Sequence, residues 1–286
     1  MKTKNLIFTI ILLTAALACS LVNTPIVQPP DSLPISATAP APAIILPTFT
    51  PISTFTPAPP TDLPPTPMLS QTVSMQSTPF SESGSAPVYT ISAQIPTLQT
   101  SSDSRVTNFN TLLNQIVQNE ITQFRKDVLS YASSTPVSAG SSFDLKYSVI
   151  GQRADIWSIK FDVYEYSDGA AHPNGYSRTL NYDLSNGREI TLDELFLSAS
   201  NYLQAISDIC KAQLATRDIS FDMFSSGADP LAENYQRWNI SNEGLTITFD
   251  AYQVAPYAAG PQIVVIPFSE LQSIINPQSA LGWFSQ

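Results

Sequence analysis

The last two-thirds of this sequence predict an α+β domain, an antiparallel sheet with two main helices packed on one face. Three observations carry that prediction. Polar and apolar residues alternate over Ser141–Ile150 and Asp155–Tyr166, the period of half-buried strands. Apolar residues recur at helical spacing over Ser104–Ser130 and again over Ser198–Thr216. Finally, 17 of the 24 prolines lie before residue 101, so folding information is concentrated after them. Helices with one apolar stripe and a sheet with one apolar face bury each other in two layers.

The N-terminus reads as an address. Met1-Lys2-Thr3-Lys4 is a short basic start, and the apolar run Leu6–Leu17 has the length of a secretory core rather than a membrane span. It ends in Ala15-Ala16-Leu17-Ala18-Cys19-Ser20, similar to the bacterial lipobox, which predicts a signal peptide over residues 1–18 and lipidation at Cys19. Several acyl chains there give stable membrane anchoring, so the mature chain is expected outside the cytoplasm, at the cell surface or in the periplasm. Residues 19–85, rich in Pro, Thr and Ser, cannot bury enough apolar surface to offset ordering. They predict a disordered, semi-rigid stalk, with the folded domain over 86–286.

Within the domain, Val88–Ile95 predicts a strand ended by Pro96. The helix from Ser104 places Val106, Phe109, Leu113, Ile116, Ile121, Phe124 and Val128 on one side, with a cap at Ser102, Asp103 or Ser104. Ser141–Ile150 and Asp155–Tyr166 form a hairpin with one wet face. A Gly/Pro/Asn loop, Asp168–Gly175, then leads into the strand Tyr176–Leu184. Ile190–Phe196 predicts a short helical turn, and the second long helix carries Leu203, Ile206, Ile209, Cys210 and Leu214 on one side. After a mixed stretch to Arg237, Trp238–Ile240 and Leu245–Phe249 form another hairpin. A second Pro/Gly loop, Ala255–Pro261, precedes the strand Gln262–Pro267, and Phe268–Ile275 closes the domain as a short helix.

Composition excludes several functions. The net charge of −10, with no basic run, argues against nucleic acid and suits a cationic partner. One histidine, His172, and two cysteines leave no histidine-rich metal site, so no metal or cofactor is expected. Cys210, on the apolar side of its helix, reads as a buried inert thiol. No G-x-S-x-G elbow exists to support a serine triad, while paired carboxylates for glycoside-type hydrolysis are too numerous to choose between. His172 therefore stands on a stiff loop with few partners for chemistry, and no catalytic residue is assigned.

A resemblance sharpens the picture. GAAHPNGYSRTLNYDLSNGREITLDELF within residues 164–196, and GLTITFDAYQVAPYAAGPQIVVIPFSEL over 244–271, resemble the extracytoplasmic domain shared by RsiV-like lysozyme-sensing anti-sigma factors and PdaC-like peptidoglycan deacetylases. The resemblance implies a non-catalytic binding or sensing domain facing the cell wall, with a lysozyme-like basic protein or a peptidoglycan fragment as ligand. The candidate contacts are the two loops: Asp168, His172, Pro173 and Asn174 on the first, Pro256, Tyr257 and Gly260 on the second. A cell-wall hydrolase using paired carboxylates and a structural envelope protein remain as alternatives.

Overall fold

The computed structural model describes residues 74–99, 103–132 and 140–286. The signal segment, Cys19 and the proline-rich stretch through residue 73 lie outside the described residues. The α+β class is as predicted, but the domain begins earlier than residue 86. Met75–Ser85 forms strand β1, paired antiparallel with β2 (Val88–Leu98) from Met75↔Leu98 to Ser85↔Val88. Its sequence, MQSTPFSESGS, lacks an apolar alternation because it is an edge strand exposed along most of its length. Glu82 fastens it to the domain. The carboxylate accepts from Arg125 Nη2 and Nε on helix α1 (Ser104–Ala132), and from the Tyr89 hydroxyl at 2.7 Å.

Helix α1 crosses over between β2 and β3 (Ser141–Arg153), which makes that pair parallel. The first sheet is therefore mixed rather than wholly antiparallel. It continues through β4 (Ile156–Tyr166), β5 (Asn174–Asp183) and the two-residue β6 (Arg188–Glu189) in sequential order. Asp103 starts α1, its carboxylate accepting the Arg105 amide at 2.8 Å. Val106, Phe109, Leu113, Val117, Ile121, Phe124 and Val128 are all buried against Ile91, Phe143, Leu145, Ile159, Phe161, Val163 and Leu180. This 3–4 spacing keeps one continuous stripe on the sheet.

The second helix, α2 (Tyr202–Ala215), does not share that face. It packs Ile206, Cys210 and Leu214 into a separate core with a second sheet, β7 (Trp238–Ile240), β8 (Gly244–Phe249) and β9 (Gln262–Pro267), antiparallel throughout. Helices α3 (Phe268–Leu271) and α4 (Ala280–Phe284) contribute Leu271, Leu281 and Phe284 to this core. Two sheets with one long helix each replace the single sheet carrying both.

The second sheet docks on the polar face of the first, at one end of the β4–β5 hairpin. The predicted wet face is therefore dry there: Ser158 is 0% exposed and Asn181 5%. The Ser158 hydroxyl accepts from the Ile240 amide and Asn239 Nδ2, each at 2.9 Å, and donates to Asn181 Oδ1 at 2.6 Å. That uses the full capacity of a serine hydroxyl. Asn181 Nδ2 in turn donates to the Trp238 carbonyl at 2.8 Å, and Asn239 Nδ2 also reaches the Ile159 carbonyl at 3.1 Å.

Further along, β6 is too short to pair the outer edge of β5. Arg237 and Asp250 stand in for a strand there: Arg237 Nε donates to the Ser177 carbonyl and Asp250 Oδ1 accepts its amide, both at 2.9 Å. The two side chains pair with each other at 2.5 Å. Gly151, at a bulge in β3, lets the second sheet come close; a Cβ there would lie 2.2 Å from the Ile240 carbonyl oxygen. Two buried atoms, Asn239 Oδ1 and Thr248 Oγ1, find no partner among the described residues, so the seam carries a polar cost as well as a gain.

Replacing Ser158 by Ala strands a buried amide and two carboxamides. Chemical denaturation should show a loss of roughly 2–4 kcal/mol, against less than about 0.5 kcal/mol for a Ser→Ala change at an exposed strand position such as Ser81.

Candidate functional site

The loop joining β4 to β5 and the loop joining β8 to β9 converge. Gly169 takes φ +82° in the first and Gly260 φ +66° in the second, conformations that L side chains rarely adopt. Pro256 starts a 3-10 turn over Tyr257–Ala259, and Gly260 ends it. The His172 imidazole stacks on the Tyr257 ring with centroids 4.0 Å apart and planes 27° from parallel. The Tyr257 hydroxyl donates to the Pro173 carbonyl at 2.6 Å. His172 Nδ1 faces the same carbonyl at 2.9 Å. A carbonyl only accepts, so in that bond Nδ1 carries a proton and donates.

The structure thus joins His172, Pro173 and Tyr257 directly. Asn174, exposed, opens β5 opposite Glu165. Asp168 anchors the loop instead, its amide donating to Ser141 Oγ at 3.0 Å. Pro256 and Gly260 shape the second turn, and the Gly260 carbonyl takes a long bond from Gln262 Nε2 at 3.4 Å.

Two further features belong to this site, and the loop reading missed them. Tyr252 is 57% exposed with its ring 5.4 Å from Tyr257, extending the row to three rings. Its φ of +71° is costly for a bulky residue. The second feature is a groove of about 320 Å³ bordered by Phe124, Asp127, Glu165, Ser167, His172 and Asn174. Burial pushes the Glu165 carboxyl above its ordinary value; Asn174 opposes the rise, and the charges of Asp127 and Glu120 add to it. Glu120 is itself held by the Tyr176 hydroxyl at 2.7 Å and Arg178 Nε at 2.8 Å.

His172 has a ring and a carbonyl as partners, with no hydroxyl or carboxylate bonded to it among the described residues. Burial raises the Cys210 thiol to about 12, far from a thiolate at neutral pH. No group of three metal-ligating side chains occurs among the described residues. The two loops carry an aromatic row, with His172 and Tyr252 exposed and Tyr257 half-buried between them, beside an acidic groove.

Known proteins match in two consecutive blocks. Residues 82–175 fit the family model described as deacetylase PdaC, and residues 193–269 that of a protein of unknown function, DUF3298. The folded part is thus similar to PdaC-like proteins in its first block and to DUF3298 proteins in its second. It is 28% identical over 169 residues to the peptidoglycan-N-acetylmuramic acid deacetylase PdaC of Bacillus subtilis, a match spanning 58% of this chain and 36% of that protein. An esterase of Mycobacterium tuberculosis is 30% identical over 106 residues, 36% of this chain and 45% of the relative. The chain thus covers only part of either relative. A DUF3298 family crystal structure from Bacteroides fragilis superposes with a TM-score of 0.57 at 18% identity, over 74% of this chain and 97% of that one. The gap between the two blocks, residues 176–192, holds most of β5 and all of β6, the last strands of the first sheet, and the second block starts ahead of α2.

A carboxyl whose folded-state pKa is raised costs stability as pH climbs from its ordinary value, 4.5 for Glu165, through the raised one. Glu165→Gln should therefore raise the melting temperature near neutral pH and leave it nearly unchanged in acid; calorimetry across that window checks the sign.

Proposed function

We propose that this domain is a non-catalytic binding module, held outside the cytoplasm by a lipid at Cys19, whose contact surface is the row His172–Tyr257–Tyr252. The ligand class is a basic protein of the lysozyme type. One observation carries the reading. Two loops distant in sequence meet through a ring stack and a hydrogen bond, and present three aromatic rings at the surface. Such pre-ordered aromatic residues give large contact area at low ordering cost. The groove beside them, with Asp127 and Glu165, suits a lysine or arginine of the partner. The acidic chain would also steer a cationic protein toward it. The peptidoglycan chemistry in the name of the PdaC relative supports a location at the cell wall.

The esterase among the relatives favours a second reading, a hydrolase using Glu165 as acid and Asp127 as base in the same groove.

Titration of the purified full chain with a basic animal lysozyme should give micromolar or tighter binding that weakens with added salt. Tyr257→Ala and Tyr252→Ala should each weaken it by about tenfold or more. No binding, or binding indifferent to both substitutions, overturns this reading. Hydrolysis of a p-nitrophenyl ester or a muropeptide that disappears in Glu165→Gln establishes the hydrolase instead.

A further inference from the structure

A second cleft, of about 210 Å³, opens where the β5–β6 turn meets the C-terminal segment. Its rim is made by Asn186, Arg188, Glu194, Asn276, Gln278 and Trp283, over a floor that includes buried Ile156 and Ile190. Trp283 is 44% exposed, whereas the other two tryptophans, Trp157 and Trp238, are 6% exposed each. It is fixed in place from below. The Ser279 hydroxyl caps α4, accepting the Gly282 amide at 3.2 Å and donating to the Leu195 carbonyl at 3.0 Å.

Around this indole the polar groups are oriented but not exhausted. Arg188 Nη1 bonds both oxygens of Glu194, at 2.8 and 2.9 Å, so the two charges are held as a fork at the rim. Asn186 Nδ2 bonds Asp183 Oδ2 at 2.7 Å, which directs the Asn186 side chain. Asn276 Oδ1 accepts the Gln278 amide at 3.0 Å. The Asn276 Nδ2 and the whole Gln278 carboxamide make no hydrogen bond among the described residues. The cleft is smaller than a drug-sized site, about 300–1,000 Å³, and suits one small polar ring.

We propose that this cleft binds one pyranose ring of a polysaccharide, the C–H face of the sugar resting on Trp283 and its hydroxyl or acetamido edge meeting the carboxamides of Asn276 and Gln278. An indole supplies an apolar face and a carboxamide both donates and accepts, the pairing that an amphipathic sugar ring requires. Asp183 also lines the cleft, its carboxylate held by the Asn186 amide and Nδ2, while Arg188 and Glu194 neutralise each other; the cleft stands independently of the reading above.

Trp283 is also its own reporter. Titrating the full chain with N,N′,N″-triacetylchitotriose should produce a saturable change in tryptophan fluorescence, with millimolar or tighter affinity. The change should vanish in Trp283→Ala. Binding measured by calorimetry should fall severalfold in Gln278→Ala, a surface substitution that leaves the melting temperature unchanged. Tyr257→Ala should bind the sugar as the natural chain does. Absence of any saturable change, undiminished binding in both cleft variants, or loss of binding in Tyr257→Ala overturns the proposal.

Discussion

The hydroxyl of Ser158 holds the two halves of this domain in register. It lies on the polar face of the first sheet, where water would ordinarily satisfy it, and is instead covered by β7. A buried hydroxyl is tolerable only when its hydrogen bonds are made. Here it meets one acceptor and two donors, spread over Asn181 of its own sheet and Asn239 and Ile240 of the other. Because those bonds are directional, the docking has one geometry, which a greasy interface of the same area would not enforce as strictly. The Arg237–Asp250 pair on the Ser177 backbone fixes the same geometry at a second point.

That registration reaches the surface through the loops. Asp250 immediately follows β8 and begins the second loop; Ser177 lies three residues beyond Asn174, where the first loop gives way to β5. Pinning Asp250 to Ser177 therefore brings the loop bases together, and the stack of His172 on Tyr257 completes the closure. The aromatic row is a product of the seam rather than of either sheet alone. This also accounts for the lone histidine, whose ring serves as a platform between the tyrosines and the acidic groove.

Much of this was legible in the residues. The stripe Val106–Val128, the hairpin of Ser141–Tyr166 and the strands after Trp238 were readable because period and burial agree in them. The Pro/Gly loops were readable for the turn chemistry of Gly169 and Gly260. Strand β1 was not, since MQSTPFSESGS takes its order from pairing with β2 and from Glu82, not from apolar alternation. Nor was the parallel pairing of β2 with β3, which depends on where a 29-residue helix returns the chain. Ser158 and Asn181 occupy positions that alternation assigns to water; only the tertiary docking buries them. In the site, His172, Pro173 and Tyr257 were visible as loop residues. Tyr252 stood inside the resembling stretch over 244–271 but ahead of the loop Ala255–Pro261, so it was not taken as a contact, and Glu165 and Asp127 come together from a strand and a helix with no shared motif.

Amide hydrogen exchange tests the docking most directly. The Ile240 amide, bonded to Ser158 Oγ, and the Ser177 amide, bonded to Asp250 Oδ1, both lie in the seam. If the seam is part of the cooperative core, both exchange only through global unfolding, as slowly as the β3–β4 ladder. Exchange of these two amides through a lower-energy opening, while that ladder stays protected, would show that the halves separate and that the loops are not held together by this seam.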